Sequence, residues 1–101
     1  MNNKYEIEYL PLAVSDLTDI FEYLKLDSPQ ATLKLLDHID KSILQLEDFP
    51  YIGVAPKEQR LVNLGYRMLI VENYLVFYVV LDNKVEIRRV IYGKRKYSFL
   101  L

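Results

Sequence analysis

LGYRMLIVENYLVFYVVLDNKVEIRRVIYGKRKY, residues 64–97, holds three runs rich in Tyr, Val, Ile and Phe. Such residues fit a pleated, half-buried surface. The runs Gly65–Glu72, Tyr74–Leu81 and Lys84–Tyr92 are separated only by Glu72-Asn73 and Asp82-Asn83. Two polar residues suit a tight hairpin, with Asn available for a positive φ. An antiparallel three-stranded meander is therefore expected.

Two-residue turns fix the register, and the register fixes the faces. Val71 then opposes Tyr74, and Arg67 opposes Tyr78, which opposes Ile87; Leu69, Val76 and Arg89 make the next row. One face accordingly sets Arg67, Arg89, Tyr74 and Tyr78 among apolar neighbours. The other carries Met68, Ile70, Leu75, Phe77, Val79 and Val90 and reads as the core face. A central strand apolar on both sides calls for cover on both.

Upstream, YEIEYL (residues 5–10) alternates in the manner of a strand with one polar face. Pro11 ends it, and Leu17, Ile20, Phe21 and Leu24 then recur at helical spacing, giving an amphipathic helix over about residues 12–26. Ser28-Pro29 is a restart, a capping hydroxyl followed by an imino acid at the first helical position. Leu35, Ile39, Ile43 and Leu46 form the stripe of the second helix, which Pro50 stops near Asp48. The two helices are expected to make an antiparallel hairpin on the apolar sheet face, with Phe21, Leu24, Leu35, Ile39, Ile43, Leu75, Phe77 and Val79 buried together. His38 falls with Lys34, Lys41 and Ser42, away from that stripe, as a solvated side chain. Residues 49–63 show no period and read as a loop bringing Lys57, Glu58 and Arg60 beside the sheet. Gly93 permits the last strand to bend away.

At 101 residues the chain is expected to form one α+β domain, β-α-α-β-β-β. The absence of cysteine excludes disulfides and thiolate metal sites, and neither a cofactor nor a metal is expected. No apolar run reaches the ~20 residues of a membrane span, and no signal peptide opens the chain, so a cytoplasmic location away from membranes is expected. The net charge of −1 conceals an asymmetry. Residues 1–50 hold four Lys/Arg and ten Asp/Glu, whereas residues 51–101 hold nine and four. A basic sheet half can meet phosphates or an acidic protein segment.

SDLTDIFEYL (15–24), LDHIDKSILQLEDFPYIG (36–53), GYRMLIVENYLVFYVV (65–80) and IRRVIYGKRKY (87–97), in that order, resemble the RelE/ParE superfamily of toxins from type II toxin–antitoxin modules, which includes plasmid stabilisation proteins. The resemblance implies a growth-inhibitory toxin neutralised by a cognate antitoxin. RelE-like members are mRNA interferases acting on the ribosome; ParE-like members inhibit DNA gyrase and are not enzymes of RNA cleavage. The long helix hairpin and its L-x-x-F-P-x-x-G ending look ParE-like, while Arg67 and the GKRKY tail are compatible with RelE.

In the nuclease case the resemblance implies a catalytic role for Arg67, Arg95 and Tyr97, which fall near places where nuclease members keep an arginine, a second arginine and a terminal tyrosine. The interval between Arg95 and Tyr97 is shorter than the nuclease pattern. Metal-free RNA cleavage needs a base, cations on the phosphorane and an acid. Arg67 and Arg95 could supply the cations, with Arg89 behind them, and Tyr97 or Lys94 the acid. The base is missing, unless the loop folds Glu58 or Lys57 over the groove. Partner or substrate contacts fall to Arg89, Lys94, Lys96, Tyr74, Tyr78 and Lys57. An acidic, amphipathic antitoxin segment is expected across the Arg67/Arg89/Tyr78 face and the tail. Arg67 and Arg89 equally suit cations whose stems lie along a half-covered sheet. The lack of a base and a pI near 5.8 favour gyrase over mRNA as target. A non-toxic interaction module on the same fold is a third reading. A homodimer and a toxin–antitoxin hetero-oligomer both fit the sequence.

Overall fold

The computed structural model describes residues 4–93 and 101. The strand β1 (Glu6–Tyr9) is followed by helices α1 (Pro11–Leu24) and α2 (Pro29–Leu44), a 3₁₀ turn (Gln45–Glu47) and a short helix α3 (Gln59–Asn63). The meander β2 (Tyr66–Val71), β3 (Tyr74–Leu81) and β4 (Lys84–Tyr92) follows. The sheet order is β1-β4-β3-β2, antiparallel through the meander with β1 parallel to β4. This is the expected α+β order, with α3 an addition inside the stretch read as loop.

Local chemistry places the helix ends. Pro11 opens α1, and the preceding Leu10 N–H donates to Ile87 O at 3.0 Å, tying the strand-to-helix corner to β4. Ser28 caps α2 by accepting from Ala31 N at 3.3 Å, with Pro29 at the first helical position. The helix tightens through Gln45–Glu47 and stops before buried Pro50. The hairpin turns place positive φ on Glu72 (54°) and Asp82 (42°), not on the asparagines as expected. Each turn thus strains its first central residue, a position glycine takes more easily.

The register holds from Val71↔Tyr74 to Arg67↔Tyr78 and at Tyr78↔Ile87. It breaks at one place. Phe77 opposes Arg89, not Arg88, so Arg88 is an extra residue, a β-bulge that reverses the facing of all that follows. Val76 therefore pairs with Val90, whereas the unbulged count placed it with Arg89.

This corrects the assignment of faces. The helix hairpin covers the face of Val71, Val76, Tyr78, Ile87 and Val90, packing Ala13, Ile39, Ile43 and Leu46 against it. The opposite face holds Leu61 from α3 with Tyr66, Phe77, Val79 and Ile91, joined by Met68, Leu75 and Leu101. Phe77 and Val79 are buried, but beneath α3 rather than beneath the hairpin with Ile39 and Ile43. Phe21, Leu24, Leu35 and Leu75 are only partly buried, and Leu75 packs on the α3 side. The cover on both sides explains why Val76, Phe77, Tyr78 and Val79 of β3 are buried in succession. No helix of the described residues is long and apolar enough to cross a membrane.

Candidate functional site

Arg67 leaves β2 beside Tyr78 and reaches the loop before α3. Its Nη1 donates to Tyr51 O at 3.1 Å and Gly53 O at 3.0 Å, and the guanidinium lies 5.1 Å from the Tyr51 ring centroid. Below it, fully buried Tyr78 accepts a hydrogen bond from Gly53 N at 2.9 Å. Burial raises the Tyr78 phenol, opposed by the Gly53 N–H and the Arg67 charge. No side chain larger than glycine fits at residue 53: a Cβ there would stand 2.5 Å from the Tyr78 hydroxyl and 2.9 Å from Met68 O. Glycine ends the F-P-x-x-G run because the loop backbone lies directly on a buried phenol.

Arg89 belongs to a different constellation. Its Nε and Nη2 donate to the Asp16 carboxylate, both at 2.8 Å, while Asp16 Oδ2 also accepts from Val90 N at 2.8 Å. The cause is topological. The strand β1 pairs with β4 only as far as Ile87, and Asp16 of α1 answers the backbone donor beyond that point. The hydrogen bond to Asp16 holds the Arg89 guanidinium above its ordinary pKa against partial burial. Arg67 and Arg89 oppose consecutive residues of β3, Tyr78 and Phe77, and so emerge on opposite faces. The expected row of cations on one uncovered face does not exist.

Tyr74 sits at the hairpin end of the sheet, edge-to-face with Tyr92 at 5.6 Å between centroids. Burial raises its phenol first, with the Tyr92 and Tyr23 hydroxyls adding to the shift. Lys57 is exposed, as is Glu58, which lies 3.5 Å from Arg60 Nε. His38 is exposed as expected, with Nδ1 2.9 Å from Glu72 Oε2, joining α2 to the β2–β3 turn. Lys94, Arg95, Lys96 and Tyr97 lie outside the described residues.

The structure therefore does not unite Arg67 with Arg89, and it spends Arg67 on loop carbonyls. Sequence reasoning missed Asp16, Tyr51 and Gly53, the partners of these arginines. Gly53 alone left a signal, as the glycine that ends the proline-containing run; Asp16 looks like one acidic residue among several on a solvated helix.

By sequence, no curated protein matches the chain. Among solved structures the chain is similar to "Chromosomal ParDE TA system from P. aeruginosa", with a TM-score of 0.73 and 20% identity. The match covers 90% of this chain and 98% of that one, and it supports the fold. The family model "ParE toxin of type II toxin-antitoxin system, parDE" matches residues 7–97. With the strand, helix hairpin and meander in that family's order, the chain belongs to the ParE toxins of type II toxin–antitoxin systems, within the RelE/ParE superfamily.

Proposed function

We propose that this toxin inhibits DNA gyrase through a protein–protein contact and does not cleave RNA. The observation carrying the reading is the commitment of Arg67 to Tyr51 O and Gly53 O, on the face opposite Arg89. Charge stabilisation of a phosphorane needs donors aimed at one developing anion. Both guanidinium groups are already engaged within the fold, Arg67 by loop carbonyls and Arg89 by the Asp16 carboxylate, so neither is aimed at a phosphate. A cognate antitoxin is the neutralising partner, as the P. aeruginosa system pairs a toxin with its antitoxin. Exposed Lys57 and the tail cations Lys94, Arg95 and Lys96 supply positive charge that speeds encounter with an acidic segment.

The test uses purified toxin in two reactions, gyrase supercoiling of relaxed plasmid and cleavage of ribosome-bound message. Loss of supercoiling with intact message is the expected result. Message cut by the wild type and spared by Arg67→Ala and Arg95→Ala would instead establish the mRNA interferase.

A further inference from the structure

Between the C-terminal half of α1 and the sheet end where β3 begins and β4 finishes lies an open cleft of about 550 Å³. Small-ligand and side-chain sites fall in this range of size. Three tyrosines line it: Tyr23 from α1, Tyr74 from β3 and Tyr92 from β4. Ile20 and Leu24 contribute apolar wall, and Asp16 and Asp19 stand on the α1 side. The two carboxylates differ. Asp16 is neutralised by Arg89, whereas Asp19 is exposed and makes no hydrogen bond or ion pair with a described residue.

Tyr23 is 75% exposed and Tyr92 40%, so ring surface stands open to solvent beside that carboxylate. On a helix, a tyrosine four residues after an aspartate lies over the same face. Asp19 and Tyr23 thus present a charge and an aromatic ring to the same side, with Tyr74 and Tyr92 across from them. The rings attract cations through their faces, and the carboxylate adds a directional acceptor.

We propose that this cleft is a docking site for an arginine side chain presented by a protein partner. The guanidinium stacks among Tyr23, Tyr74 and Tyr92 while donating to Asp19. Charge complementarity selects the occupant. Among the described residues Asp19 is a carboxylate of the cleft with no ion-pair partner, on a helical half with ten Asp/Glu against four Lys/Arg. Arginine fits better than lysine because its planar cation stacks on rings and still offers in-plane donors. Neither Arg67 nor Lys57 lines the cleft. The inference goes beyond the gyrase reading and is tested without any target present.

The experiment is an NMR titration of the intact toxin with acetyl-Gly-Arg-Gly-amide and with its uncharged citrulline counterpart, following the tyrosine ring signals. Saturable shifts of Tyr23, Tyr74 and Tyr92 at millimolar arginine peptide are expected, with citrulline about fivefold weaker. Asp19→Asn and Tyr23→Leu, both at exposed positions, are each expected to weaken arginine binding about fivefold while leaving the far-UV circular dichroism unchanged. Equal shifts with both peptides, or no saturable shift of these rings, overturns the proposal. So does arginine binding that Asp19→Asn leaves intact.

Discussion

Tyr78 and Gly53 show how much of the fold rests on single atoms. The phenol fills the space under the loop and satisfies a buried backbone donor at once. Tyr78→Phe keeps the ring but orphans Gly53 N–H, and is expected to lose about 1–3 kcal/mol in urea unfolding. Gly53→Ala forces the new methyl against the same hydroxyl and against Met68 O, and is expected to lose a similar ~1–3 kcal/mol. Because Arg67 clamps this loop, both variants are also expected to raise protease cleavage near residues 51–53. A loss below about 0.5 kcal/mol in both would show that the loop is held from elsewhere.

At the scale of elements, Asp16 joins α1 to β4 by three hydrogen bonds at once. Asp16→Ala leaves Arg89 without its carboxylate and Val90 N–H without its acceptor, and is expected to destabilise by about 2–4 kcal/mol. Arg89→Ala keeps the Val90 bond and should lose less; chemical denaturation of the two variants side by side reads the difference. Reversal of Arg89 to Glu places two carboxylates together within the fold, so its first effect is on stability rather than on a partner.

The meander itself was legible from the sequence, because β-branched and aromatic runs broken by two polar residues have few other solutions. The helices were legible for a similar reason, in the stripe ending at Leu46 and the cap at Ser28. The faces were not. Period-two counting is correct from Leu81 back to Tyr78 and wrong beyond it, since a bulge adds one residue with no turn chemistry to announce it. The five residues of α3 are too few to show a helical period. The candidate site suffered most, because facing decides which cations can meet.

For the molecule as a whole, tyrosine ionisation is expected to set the alkaline limit. Tyr9, donating to Asp40 at 2.8 Å, is raised far above its ordinary pKa, chiefly by burial. Tyr74 and Tyr78 are raised too, again chiefly by burial. A phenol raised in the folded state binds its proton more tightly there than in the unfolded chain. Above pH ~10 the unfolded chain releases these protons first, so stability present at neutral pH is lost as pH rises. Urea midpoints are expected to fall between about pH 9.5 and 11.5, and Tyr9→Phe should flatten the decline. A midpoint unchanged across that range would show that the phenols ionise without unfolding.

The bulge at Arg88 makes β4 a sentence with one removable letter. Pairs on either side of it, Tyr78↔Ile87 and Phe77↔Arg89, already stand in neighbouring rows, so excising Arg88 closes the ladder without shifting another pair. Excising Ile87 yields the same ladder and the same length, but delivers Arg88 into the fully buried slot opposite Tyr78. Two deletion variants, one residue apart, thus share a backbone and differ in whether a core position holds isoleucine or an unpaired guanidinium. The chain lacking Arg88 is expected to fold, and the chain lacking Ile87 to remain largely unfolded by circular dichroism, since a buried unpaired charge outweighs what a small domain has in reserve.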